Sequence, residues 1–221
     1  MNRYNTIIFD MDGTLLDTLQ DLADSVNYAL IKHGYPVKTL GDIKKFVGNG
    51  MERLMTLSVP GGQNNKNFTN CFQYFKKHYQ FNMQNKTTPY TGILELLSIL
   101  HKNDYKLAVV SNKKDKAVKE LTRNNFGEYI TISIGERDNI NRKPSPDSVY
   151  MALNELGSIK EKVIYVGDSE VDVQTARNAG ILSVGVTWGF RDRILLESEV
   201  PDFIIDHPWE LLDVLKNLNN T

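Results

Sequence analysis

The sequence has a single cysteine, Cys71, no apolar run long enough to span a bilayer, and almost no net charge. A lone thiol cannot close an internal disulfide, which argues against a disulfide-stapled secreted domain and fits a reducing compartment. The first apolar segment, residues 6–9, is too short for a signal sequence and runs into Asp10 and Asp12, so the expected location is cytoplasmic, with no membrane partner. Lys and Arg number 26 against 27 Asp and Glu, and a net charge of −1 provides no long-range positive field to gather nucleic acid. The expected partner is small. His33, His78, His101 and His207 are scattered without ligand spacing, which argues against a histidine metal centre. What is present is 221 residues, 41% of them hydrophobic, enough to bury a sizeable core.

Short β-branched runs recur at residues 6–9, 107–110, 130–134, 163–166, 182–186 and 203–205, each ending in polar residues, and they read as buried strands. Between them, Ile93, Leu96, Leu97 and Leu100 share a helical face, as do Val149, Ala152, Leu153 and Leu156 before Gly157, and Leu211, Val214, Leu215 and Leu218. Alternating strand and helix predicts an α/β fold, a doubly wound, Rossmann-like parallel sheet covered on both faces. Nearly a hundred residues separate the first two strands and carry almost no strand signal. There Leu19, Leu22, Ala23, Val26 and Leu30 line one helical face, and Phe68, Cys71, Phe72, Phe75 and Tyr79 line a second, aromatic one. This predicts an inserted all-helical cap domain. The expected division is residues 1–15 and 89–221 for the α/β catalytic core and 16–88 for the cap, with hinges near residues 14–18 and 86–92. Residues 217–221 are expected to fray.

In open α/β sheets ligands bind beyond the carboxyl ends of the strands. Read in that order, those ends carry Asp10-Met11-Asp12-Gly13-Thr14, then Ser111-Asn112, then Lys143-Pro144-Ser145-Pro146-Asp147 ahead of a helix, and Gly167-Asp168-Ser169-Glu170-Val171-Asp172. Carboxylates gathered at one rim are costly unless a hard cation neutralises them, and Mg2+ suits a few carboxylates completed by phosphate oxygens. Asp10 and Asp168 are the expected carboxylate ligands. Asp12 is expected to offer its backbone carbonyl to the metal and keep its side chain for proton transfer. Asp172, four residues beyond Asp168, is expected to orient water or Ser169 from behind the metal ligands. Asp10 or Asp168 alone could equally cap the helix that follows it, and Asp172 could serve only as an acid in a first helical turn. The Gly48-Asn49-Gly50 loop has two readings, a cap between helices or a set of free amides for a substrate carboxylate.

The ordered motifs DMDGT at residues 10–14, VVSN at 109–112, KPSPD at 143–147 and GDSEVD at 167–172 resemble those of the haloacid dehalogenase-like phosphohydrolases. More narrowly, the chain is similar to the phosphoglycolate phosphatase-like branch with a helical cap. Residues 47–50, 185–189 and 202–206 also look like that branch, so the resemblance covers nearly the whole chain. It implies a Mg2+-dependent phosphatase of a small phosphorylated metabolite, 2-phosphoglycolate first, acting as monomer or homodimer. It further implies that Asp10 attacks phosphorus to form an aspartyl phosphate while Asp12 protonates the leaving alkoxide and then activates water. Ser111 and the Asn112 amide would hold phosphoryl oxygens. Lys143 would neutralise nucleophile and phosphate, just ahead of a helix with Ser145 as its N-cap and Pro146 at its first position. Mg2+ and Lys143 together would keep Asp10 ionised.

Other turnover is compatible with the same motifs: a phosphosugar mutase of the β-phosphoglucomutase type, or a pyrophosphatase or nucleotidase. The non-enzymatic alternative is a phospho-accepting signalling domain. That class predicts no inserted cap, and a helical insert following an acid/base aspartate suits turnover with bulk water excluded.

Overall fold

The computed structural model describes residues 3–220. Six parallel strands form the main sheet: β1 Thr6–Phe9, β4 Lys106–Lys114, β5 Ile132–Glu136, β6 Val163–Gly167, β7 Leu182–Val186 and β8 Phe203–Ile205. Their order is β5-β4-β1-β6-β7-β8. β1 lies inside, paired with β4 through Ile7↔Leu107 and with β6 through Ile8↔Tyr165. All four of its residues are buried, so both faces of the sheet are covered, as the near-continuous apolar run requires. One face packs Ile8, Val110, Ile134 and Tyr165 beneath α7 (Asp147–Leu156) and α8 (Glu170–Ala179), through Val149, Ala152 and Ala176 among others.

The chain builds outward from β1 in one direction through β4 and β5, and in the other through β6, β7 and β8. The flanks of β1 are therefore the switch point of a doubly wound sheet, and a crevice opens at the carboxyl ends of β1, β4 and β6. Three helices beyond those the periodicity marked complete the α/β connections, α6 (Asp115–Phe126), α8 and α9 (Arg193–Ser198). The earlier connection is α5 (Ile93–Lys102), which buries Ile93, Leu96, Leu97 and Leu100. Two expectations are corrected. Strand β4 continues four residues past Val110, so Ser111 and Asn112 lie within it rather than after it. The last helix, α10 (Glu210–Asn220), does not fray over residues 217–220, because the Asn219 side chain accepts from the Tyr4 amide at 2.7 Å and donates to the Tyr4 carbonyl at 3.1 Å. Thr221 lies outside the described residues.

The chain divides into two compact units, Met1–Leu16 with Pro89–Thr221, and Asp17–Thr88. The second unit is helical: α1 Leu19–Lys32, α2 Leu40–Phe46, α3 Gly50–Ser58 and α4 Phe68–Asn82. Its core gathers Val26, Ala29 and Leu30 of α1, Ile43, Leu54, Met55, and the aromatic face of α4 with Phe75 and Tyr79. Cys71 belongs to that core, where burial pushes its thiol up to about 11 and leaves it inert. A buried carboxylate closes the unit's end: Asp21 accepts from the amides of Lys86 and Thr87, each at 2.9 Å, and from the Thr87 hydroxyl. The two chain crossings, β2 (Leu16–Asp17) and β3 (Thr88–Pro89), pair as a short separate sheet. Among the described residues no helix is long and apolar enough to cross a membrane.

Candidate active site

Asp10 follows β1 directly, and its amide donates to the Val166 carbonyl at 2.9 Å, fixing the strand end against β6. β6 ends at Gly167 and delivers Asp168, and α8 begins two residues later and delivers Asp172. Oxygens of Asp10, Asp168 and Asp172 lie within 4.8 Å of one another, and all three residues are buried. The local folding of the last two follows from capping. Ser169 is the N-cap of α8, and Asp172 closes a capping box by accepting from the Ser169 amide at 3.1 Å and hydroxyl at 2.6 Å.

Lys143 sits among these carboxylates with its side chain 3% exposed. Its ammonium lies 2.8 Å from Asp10 Oδ1 and 2.7 Å from Asp172 Oδ1, and donates to the Tyr165 hydroxyl at 3.0 Å. The Tyr165 hydroxyl in turn donates to the Val110 carbonyl. Asn112 places the Lys143 backbone, since its side-chain amide accepts from the Lys143 N–H at 2.9 Å and donates to the Lys143 carbonyl at 3.1 Å. Asp168 accepts from the Phe190 amide at 2.7 Å and from the Thr14 hydroxyl at 3.3 Å.

Close approach around Asp168 explains two glycines. Gly13 has φ +90°, and a Cβ on it or on Gly189 would overlap the Asp168 side chain. The Trp188 indole donates to the Thr14 carbonyl at 3.0 Å, tying the β7 exit to the β1 loop.

Lys143 touches two of the three buried carboxylates, Asp10 and Asp172, and the Arg191 charge acts on Asp168. Burial, with the Asp172 charge added, pushes Asp10 up to about 7 even though Lys143 opposes the rise. Burial, then Asp172 and Asp10, likewise raise Asp168 well above the usual carboxylate range. Burial alone would lower Lys143, but Asp10 and Asp172 outweigh it and hold the ammonium well above its ordinary value. Lys143 lowers Asp10 without cancelling the effect of burial and of Asp172. The donors are all oxygens, which fits a hard divalent cation.

The remaining expected residues are distributed as follows. Ser111 is buried at the inner side of β4, where its hydroxyl accepts from the Lys113 amide at 3.2 Å. The Asp12 carboxylate is not among the three clustered acids; Lys113 holds it at 2.8 and 2.9 Å. Gly48, Asn49 and Gly50 belong to the helical unit, at the start of α3, with Asn49 its N-cap, Gly50 its first residue and both glycines at positive φ. Ser145 is not the cap of α7. Pro146 takes that position, and the Ser145 hydroxyl instead donates to Asp147 Oδ1 at 2.7 Å. Lys113, Tyr165 and Thr14 are the site residues that sequence reasoning missed. Thr14 stood within the first motif, and Lys113 follows the second; Tyr165 carried no signal beyond its place in an apolar strand.

The family model for haloacid dehalogenase-like hydrolases matches residues 7–186. A phosphoglycolate phosphatase of Aquifex aeolicus is 32% identical over 96% of this chain and 96% of its own length. A protein of Caldanaerobacter subterraneus, provisionally named the pyrophosphatase PpaX, is 31% identical over 97% of this chain and 96% of its own. Among solved structures, one from Lactobacillus delbrueckii subsp. bulgaricus, provisionally assigned as a phosphoglycolate phosphatase, superposes with a TM-score of 0.91 at 35% identity, covering 97% of this chain and 99% of that one. With the motifs, the sheet order and these matches in agreement, the chain belongs to the haloacid dehalogenase-like hydrolase family.

Proposed function

We propose that this chain is a Mg2+-dependent phosphomonoesterase that hydrolyses a small phosphorylated metabolite, 2-phosphoglycolate first among candidates, through an aspartyl phosphate on Asp10. The observation that carries the reading is the buried cluster of Asp10, Asp168 and Asp172, with the Lys143 ammonium on Asp10 and Asp172. Its excess negative charge calls for a cation, and a phosphate dianion binds where cation and ammonium converge.

Asp10 and Asp168 would hold Mg2+ through their carboxylates and Asp12 through its backbone carbonyl. When bound, the ion neutralises the acids and draws charge from the phosphoryl oxygens. Asp10 attacks phosphorus as the ester oxygen leaves with a proton from Asp12. In the second step Asp12 takes a proton from the attacking water, the phosphorus–Asp10 bond breaks, and inorganic phosphate departs. Ser111 Oγ, the Asn112 amide and Lys143 hold the phosphoryl oxygens. Ser169 and Asp172 keep Lys143 and the metal's water in place, which the Asp172 bonds to both Ser169 and Lys143 support. The amides of Gly48, Asn49 and Gly50, on glycine-permitted backbone, would bind the substrate's carboxylate.

A second reading, pyrophosphate as substrate, is favoured by the similarity to the PpaX protein. A panel of 2-phosphoglycolate, pyrophosphate, nucleoside monophosphates and β-glucose 1-phosphate, assayed for phosphate release with Mg2+ or EDTA, separates the readings. The expected result is Mg2+-dependent release, highest with 2-phosphoglycolate. Preference for pyrophosphate would select the second reading, and isomerisation of β-glucose 1-phosphate without release would overturn both in favour of a mutase.

A further inference from the structure

We propose that Lys113 is the positioning residue for Asp12, and that its contact serves the hydrolysis of the phosphoenzyme rather than its formation. The proposal deepens the phosphatase reading and rests on it. Lysine is almost never fully buried unless paired, and burying an unpaired ammonium costs several kcal/mol, roughly, even after relaxation. Here the Lys113 side chain is 4% exposed while Asp12 keeps 21%. The ammonium reaches both Asp12 oxygens, at 2.8 and 2.9 Å. The cation is thus fixed by the protein, and the carboxylate it holds still meets the crevice.

The placement follows from the unexpected length of β4. The strand runs to Lys114, and its pairing with β5 shifts between Val110 and Lys114. Along it Ser111 and Lys113 are buried, whereas Asn112 is half-buried and Lys114 exposed, the alternation of a strand with one inward face. The bond from the Lys113 amide to the Ser111 hydroxyl links the backbone of this step to a phosphate-binding candidate. The two buried lysines contact different acids: Lys143 contacts Asp10 and Asp172, and Lys113 contacts Asp12.

An ammonium donating to both oxygens stops a carboxylate rotating and fixes its aim. That is the state a general base needs. In the second step the water oxygen bonds to phosphorus, its proton passes to Asp12, and the electron pair of the breaking bond returns to Asp10. Without Lys113, Asp12 is free to swing out of line with the water, and a misplacement of about 1 Å can cost on the order of 10²-fold in rate.

The test uses p-nitrophenyl phosphate, whose leaving group departs without a proton, so kcat/KM reports attack by Asp10 and kcat reports phosphoenzyme hydrolysis. Lys113→Met, matched in length and apolar, is expected to lower kcat by about 10²-fold with kcat/KM held within about 3-fold, and to release a burst of p-nitrophenol on mixing. Lys113→Arg, which can still donate to a carboxylate, is expected to recover part of kcat. Equal losses in kcat and kcat/KM in a folded Lys113→Met variant would show a merely structural role and overturn the proposal alone, as would wild-type kinetics. A burst of the same size from Asp10→Asn, or no release by the wild type, would overturn the phosphatase reading and the proposal with it.

Discussion

On the proposed reading Asp10 combines two demands that conflict, since a nucleophilic carboxylate must be ionised and yet this one lies buried beside two other acids. Its folded-state value of about 7 stands above the ordinary 3.8, so between those values the folded chain holds a proton that the unfolded chain has released. Its contribution to stability therefore falls as pH rises through that window. Asp10→Asn removes this dependence. In metal-free buffer the melting temperature of the variant relative to wild type is expected to rise between about pH 4 and about pH 7.5, and Mg2+ should narrow the gap at the upper end by binding the native wild-type acids. An offset independent of pH would contradict the electrostatics. At this scale the sequence was most legible where charge clusters at strand ends: Asp10, Asp168, Asp172 and Lys143 converge as the motif order implies. Lys113 was not legible, because a lysine past an apolar run reads as solvated until the register of its strand is known.

Elements turn those residues into a site. Most strands follow from their β-branched runs, and β1, β7 and β8 match theirs end to end. β4 is longer than its apolar stretch because residues 111–114, although polar, stay extended, with Lys114 paired to Glu136 of β5. Helix α6 was missed for a related reason: its sequence DKAVKELTRNNF is mostly polar, and its buried stripe of Val118, Leu121, Thr122 and Phe126 is narrow. Tyr165 ties elements together, accepting from Lys143 beside α7 and donating to Val110 of β4 while lying in β6. Tyr165→Phe would take one donor from the Val110 carbonyl and one acceptor from Lys143. A loss of about 1–3 kcal/mol in unfolding free energy by urea titration is expected, with no change in the slope of the transition. Unchanged stability would mean that the hydroxyl is not part of the frame.

On the scale of the whole molecule, one α/β unit built from both ends of the chain accompanies one helical unit built from a single insertion. The insertion was visible as a long gap in strand signal, whereas the pinning of its end by Asp21 was not, because that carboxylate binds backbone amides rather than a charge partner. Each unit has its own core. Phe75, fully buried on α4, packs in the helical one, and Phe75→Ala is expected to cost about 3–5 kcal/mol there. Hydrogen exchange should accelerate across α1 and α4 and stay unchanged in β1, β4 and β6; acceleration spread evenly through the sheet would contradict separate cores. What both units serve, in this account, is transfer of a phosphoryl group to Asp10, and the most direct test is to catch it. Wild-type protein turning over 2-phosphoglycolate with Mg2+ is quenched in acid and its peptides are mapped by mass spectrometry. The account predicts phosphate on Asp10 in the wild type and none in Asp10→Asn, which should also release no phosphate. Sustained turnover with Asp10 unmodified, or wild-type release by Asp10→Asn, would contradict it.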